Sequence, residues 1–192
     1  MANRIDLLAP NTKKPFHVFV SHWPSRLWCE KNGADRHLLG VRLRDAIDEL
    51  HTLYGAPAQA VLLGDFNDEP FDSSLSEQLL ATRDRNLVQR NPRLLYNPFW
   101  RCLGEAIPHV PRVRCRSYCG SCFHKSGMDT NWRTFDQIIF SSTFLGQCEW
   151  ELNETYTQII PLEPFDVLVG KATEIFDHLP VMSVVEREAR DG

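Results

Sequence analysis

An α/β fold is predicted by three consecutive segments whose hydrophobic periods differ. Phe16 to Ser21 (FHVFVS) alternates around β-branched and aromatic residues, as a strand does. Leu39, Leu43, Ile47 and Leu50 then recur every three or four positions, with Arg42, Arg44, Asp45, Asp48 and Glu49 between them, the pattern of an amphipathic helix. Ala60 to Leu63 is a short continuous apolar run of the kind found in strands covered on both faces. The elements are delimited by their neighbours. Trp23-Pro24-Ser25 stops the first strand, Asp35 is the expected cap of the helix, Gly55-Ala56-Pro57 ends it, and Gly64 to Pro70 forms a polar loop after the second strand.

The middle of the chain is less periodic. Residues 73–81 suit a short helix, and Asn91 to Gly127, rich in Pro, Arg, Cys and Gly, reads as loop with short strands. Order returns in a strand from Thr134 to Ser141, with Asp136 near its start. The apolar stretch Phe165 to Val169 precedes Asp177-His178-Leu179-Pro180, and Val181 to Val185 is the last expected strand.

Composition narrows the function classes. With 192 residues, 43% hydrophobic and 24% charged, the chain fits a single globular domain rather than a disordered or fibrous protein. No apolar run approaches the roughly 18 residues of a membrane span, and the N-terminus lacks a signal-peptide pattern, so a cytoplasmic location is expected. A formal net charge of −4 gives no overall cationic face for duplex binding, although a local groove on an acidic protein still accommodates nucleic acid. Six cysteines are too few for a disulfide scaffold and are expected to be reduced.

Polar, ionisable groups stand directly at the ends of apolar strands: His22 after FVS, Asp65 and Asn67 after VLLG, and Asp177-His178 before PVMSVV. Such positions let a rigid sheet hold functional groups around a ligand. Asp136, inside its strand, needs a partner. Taken singly, each has a simpler explanation: Asp65 and Asn67 as turn formers, Asp136 as a strand-edge charge, Asp177-His178 as a helix cap, His22 as a packed core histidine. Together, and in order, they point to one site.

Four motifs, SHWPSR (21–26), GDFN (64–67), FDQIIFSS (135–142) and DHLPV (177–181), resemble in sequence and order those of the endonuclease/exonuclease/phosphatase superfamily, the metal-dependent phosphodiesterases related to DNase I and exonuclease III. The resemblance runs from about residue 16 to the end. It implies a four-layer α/β sandwich of the DNase I-like type, present here as a single domain over 1–192 that corresponds to the C-terminal half. It also implies phosphodiester or phosphomonoester hydrolysis with Mg²⁺ or Mn²⁺. By the same resemblance, Asp65 orients or deprotonates the attacking water, and Asn67 holds that water or the phosphate. His178 donates to a non-bridging oxygen, Asp136 pairs with His178, and His22 with Arg26 touches the phosphate. Asp65, Asn67 and Asp177 face the metal.

The superfamily's N-terminal half carries an asparagine and a glutamate that is a principal metal ligand, and no glutamate precedes His22. Weak metal binding, slow or absent turnover and an apolar sheet face open to self-association or to a second chain are therefore expected. Two alternatives stand beside the enzyme: a regulatory fragment binding a partner through that face, and a zinc-stabilised interaction module. The second rests on Cys115, Cys119, Cys122 and His124, whose spacing lacks the paired C-x2-C knuckles of strong zinc signals, so reduced thiols are preferred. Arg112, Arg114 and Arg116 are either phosphate contacts or a solvated edge. The geometric expectation is that His22, Asp65, Asn67, Asp136 and His178 converge on one rim, with Asp136 within hydrogen-bond reach of His178.

Overall fold

The structure is a computed structural model that describes residues 2–10, 12, 14–55, 57–104, 119–126, 129–160, 162 and 176–187. Its first strand, β1 (Ala2–Leu7), lies along an edge and pairs antiparallel with β2 (Phe16–His22). Helix α1 (Ala34–Tyr54) crosses to β3 (Ala60–Asp65), which pairs parallel with β2. This is the crossover that a parallel pair requires. A π-type turn at Ser74–Gln78 leads to β4 (Ala81–Thr82), α2 (Arg85–Arg90) and β5 (Leu95–Tyr96). A two-stranded ribbon, β6 (Cys122–Phe123) with β7 (Trp132–Arg133), precedes β8 (Asp136–Ser141), and β9 (Trp150–Ile159) pairs antiparallel with β10 (Val181–Arg187). The main sheet runs in the order β1-β2-β3-β8-β5-β4. It is of the α/β class the sequence predicts.

Two cores lie on opposite faces of this sheet. On one, Phe19, Leu62 and Ile139 pack with Leu43, Ile47 and Leu50 of α1. On the other, Phe16 and Phe140 pack with Phe144 and Leu152, and Trp150 and Val185 of the β9–β10 sheet lie partly buried against them. The helix is capped by Gly33, not by the expected Asp35, and this cap makes no side-chain hydrogen bond. A glycine in place of a hydrogen-bonding cap costs only about a few tenths of a kcal/mol, whereas burying each of Leu43, Ile47 and Leu50 stabilises by about 1.5–3 kcal/mol. Packing therefore decides that this segment is helical. Arg44, expected on the polar face, is buried because its guanidinium donates to the Arg93 carbonyl at 2.8 Å and to Asp48 at 2.8 Å.

Strand β9 escapes the sequence reading because polar residues dominate it, and β1 because it is a short edge with every residue exposed. Ile5, Leu7 and Val20 are exposed beside one another on the face away from α1. The expected segment Phe165 to Val169 lies outside the described residues. Among the described residues no helix is long and apolar enough to cross a membrane.

Gly64 fixes how close β2 and β3 approach. Its φ is +137°, and a Cβ there would stand 1.9 Å from the Ser21 carbonyl oxygen. Backbone strain in this region costs about 1–3 kcal/mol before any clash is counted. Gly64→Ala should lower the unfolding free energy by roughly 3 kcal/mol or more, read as a reduced urea midpoint; a wild-type midpoint would contradict the close strand approach.

Candidate active site

Strand register assembles the site. His22 of β2 stands opposite Asp65 of β3, and Asp65 stands opposite Asp136 of β8, so three strands contribute one rung. Side chains alternate along a strand. Phe19, Leu62 and Ile139 face α1, and His22, Asp65 and Asp136, each three positions away, therefore lie on the opposite face. The His22 Nε2 to Asp65 Oδ2 distance is 3.6 Å, with His22 largely exposed and Asp65 half-buried.

A second backbone pairing brings His178 to this rung. Cys122 and His178 form an antiparallel bridge, the Phe123 N–H donates to the Asp177 carbonyl at 2.9 Å, and the Leu179 N–H donates to the Ser121 carbonyl at 2.6 Å. The Ser121 hydroxyl in turn accepts the Asp136 N–H at 3.0 Å, tying the two segments together. Gly120 permits the approach, since a Cβ there would lie 2.5 Å from the Arg133 carbonyl oxygen. The result is a 2.7 Å hydrogen bond between His178 Nδ1 and Asp136 Oδ2.

The loop after β3 is held just as firmly. Asn67 adopts a φ of +50°, its N–H donates to Asp65 Oδ1 at 2.8 Å, and its amide nitrogen donates to Asp65 Oδ2 at 2.9 Å and the Trp23 carbonyl at 3.0 Å. Both amide hydrogens are thus committed, which leaves Oδ1 as the atom Asn67 can offer a cation or water. Arg26, expected at the phosphate, lines the cleft, but its guanidinium braces this loop: Nε donates to the Asn67 carbonyl at 2.9 Å, and Nη2 pairs with Asp68 and Asp72. Arg36, wholly buried, donates to the carbonyls of Pro24, Cys29 and Phe66.

Potential ligand atoms fall into two groups that share His178. Asp65, Asp136 and His178 form one, and Cys122, Asp177 and His178 the other; within each, the ligand atoms lie within 4.8 Å of one another. Asp177, expected beside Asp65 at the metal, therefore groups with Cys122 instead. Its carboxylate is mostly exposed and 3.8 Å from His178 Nε2. The oxygen-rich first group suits Mg²⁺ or Mn²⁺ by donor chemistry. Cys119, Cys122 and His124 bring no such trio together among the described residues, and Cys115, Arg112, Arg114 and Arg116 lie outside them.

Electrostatics separate the roles. Burial, reinforced by the neighbouring Asp136 carboxylate, raises the Asp65 pKa against the Asn67 N–H bond that lowers it. Burial, the largest single influence, would lower His178, but the hydrogen bond and charge of Asp136 together with the contact to Cys122 outweigh it and hold the imidazole charged well above the ordinary histidine range. Burial pushes the Cys122 thiol up, against its hydrogen bond with His178, which lowers it. A cleft of about 570 Å³ opens beside these groups, with Asn67, Cys122, His124, Phe135, Asp177 and His178 in its walls.

A mixed α/β sheet thus gathers histidine and carboxylate groups at its strand ends. The chain belongs to the Endonuclease/Exonuclease/phosphatase family, which its sequence matches over residues 6–161. Members of this family are hydrolases acting on phosphoesters and generally use divalent metals. Among solved structures, the chain is similar to a functionally unknown conserved protein from Enterococcus faecalis V583, at 20% identity over 93% of this chain and 53% of that one, with a TM-score of 0.46. It is also similar to a mannosyl-6-phosphatase from Bacteroides thetaiotaomicron VPI-5482, at 17% identity over 92% and 53%, with a TM-score of 0.48. The human Nocturnin catalytic domain matches at 15% identity over 79% and 43%, with a TM-score of 0.43. The chain spans about half the length of these proteins. No curated protein matches its sequence.

Sequence reasoning misses Cys122 as a neighbour of His178, because the contact comes from a backbone bridge that no spacing encodes. The pair at the centre is directly testable. Since the His178 pKa is raised in the fold, the imidazolium's contribution to stability is complete below the ordinary histidine range and is lost as pH rises through the raised value. Asp136→Asn should return the His178 titration towards about 6.5, followed by imidazole NMR shifts; an unchanged titration would show that Asp136 does not hold the charge.

Proposed function

We propose that this chain carries the histidine-and-aspartate part of a divalent-metal-dependent phosphoester hydrolase site, its residues 1–192 forming the C-terminal part of such a domain. The observation that supports this most is the in-register rung His22–Asp65–Asp136 with His178 hydrogen-bonded to its end at 2.7 Å. Asp65 and the Asn67 amide oxygen would hold Mg²⁺ or Mn²⁺, which supplies Lewis-acid stabilisation of charge on the phosphoryl oxygens.

The residues of the chain do the rest. Asp65 accepts a proton from the attacking water, a task favoured by its raised pKa. Asn67 orients that water. His178 donates its Nε2 proton as a hydrogen bond to a non-bridging oxygen, and Asp136 fixes the ring and keeps it charged. His22, exposed at the mouth, meets the phosphate from the other side of Asp65. Arg26 serves by holding Asn67 in place. Phosphodiesters, nucleic acid among them, and phosphomonoesters are the substrate classes this chemistry accommodates.

Exposed Ile5, Leu7 and Val20 favour a second reading, in which the chain is a non-catalytic fragment that binds a partner through this face. Hydrolysis of an aryl phosphodiester, an aryl phosphomonoester and plasmid DNA with Mg²⁺ or Mn²⁺ separates the two. The hydrolase reading expects activity that a chelator removes, and a fall of about 10²–10³ in kcat/KM for His178→Ala and for Asp65→Asn. Absence of hydrolysis by metal-bound protein, also when the N-terminal half of a family member is supplied and shown to associate, would overturn it in favour of the second.

A further inference from the structure

We propose that Cys122, Asp177 and His178 form a Zn²⁺ site that shares only His178 with the oxygen-rich group around Asp65 and that withdraws His178 from phosphate when occupied. The juxtaposition is built by the backbone. Residues directly opposite in an antiparallel bridge present their side chains to the same side, and Cys122 is opposite His178. The Phe123 N–H bond to the Asp177 carbonyl fixes the next residue of the same ribbon. Sulfur, nitrogen and oxygen atoms are thereby gathered within 4.8 Å, with His178 Nε2 and Asp177 Oδ1 at 3.8 Å. Zinc distances of about 2.0–2.3 Å place tetrahedral ligands roughly 3.3–3.7 Å from one another, so a small rotation of the exposed Asp177 side chain completes three positions and leaves the fourth for water.

Donor chemistry selects the ion. A thiolate and an imidazole suit Zn²⁺, whereas Mg²⁺ and Mn²⁺ prefer oxygen. The outer partner is already in place: Asp136 holds His178 Nδ1 at 2.7 Å, the carboxylate–histidine arrangement that orients zinc-binding imidazoles and leaves Nε2 facing the metal. On binding, the Cys122 Sγ proton and the His178 Nε2 proton pass to solvent, two in all, and no electron is transferred. His178 Nε2 is then a ligand and has no proton for a phosphate oxygen. That inhibitory consequence rests on the hydrolase reading above, but occupancy of the site does not.

The test therefore reads binding itself. The full chain, stripped with a chelator, is titrated with Co²⁺ as a spectroscopic stand-in for Zn²⁺. The site predicts a near-ultraviolet thiolate-to-cobalt charge-transfer band that saturates at one equivalent and is displaced by Zn²⁺. Cys122→Ser should remove the band, Asp177→Asn should weaken Zn²⁺ binding at least about tenfold, and Asp65→Asn should leave the band intact. Absence of the band in the parent, its persistence in Cys122→Ser, or its loss in Asp65→Asn would overturn the proposal. Asp177 is largely exposed, so Asp177→Asn decides the matter should Cys122→Ser fail to fold, and unchanged Zn²⁺ affinity in that variant would also overturn it. Hydrolysis enters none of these readings, so their failure is distinguishable from failure of the hydrolase assignment.

Discussion

The site depends on the register of three strands. Because β2, β3 and β8 align His22, Asp65 and Asp136 on one rung, three polar side chains from distant parts of the sequence reach the same face of a rigid sheet. A slip of one residue in any pairing would turn that strand's polar group into the apolar core beneath α1. Hydrophobic burial holds the register: Leu62 and Ile139 are wholly buried on the α1 side, and Phe16 and Phe140 pack on the other. The functional rung is thus positioned by the same alternation that builds the cores.

Around this rung, buried charge immobilises what would otherwise be a polar loop. Asp68 and Asp72 are almost fully buried and paired with Arg26, Arg36 and Lys31. Glu69 accepts the Thr134 N–H at 3.0 Å, joining the loop to the approach to β8. Removing one partner from such a group leaves a buried charge uncompensated, at a cost of about 3–5 kcal/mol. These pairs do not drive folding; they restrict the loop to one conformation, and that conformation presents Asn67 beside Asp65. Preorganisation of this kind lets a site stabilise developing charge without first rearranging.

Local periodicity made β2, α1, β3, β8 and β10 legible, since each has a strongly apolar pattern. Strand β9 was not legible, because Glu151, Asn153, Glu154, Thr155 and Gln158 mask its alternation, and β1 is an exposed edge stabilised by pairing rather than by burial. The Asp136–His178 pair followed from motif order. The bracing role of Arg26 did not, nor did the grouping of Asp177 with Cys122, because each is decided by which segments meet in space. Asp68, Glu69 and Asp72 illustrate the same limit: as a sequence they are turn formers, and only the fold supplies the arginines that bury them.

The central claim is that strand register creates a cation and phosphate site at the Asp65 end of the sheet. Anomalous diffraction from crystals of the chain grown with Mn²⁺ and inorganic phosphate tests it most directly. The account predicts a Mn²⁺ peak at coordination distance from the Asp65 carboxylate, with a phosphate oxygen within hydrogen-bond reach of His178 Nε2. Mn²⁺ bound elsewhere on the chain, with the Asp65 carboxylate uncoordinated, would contradict it.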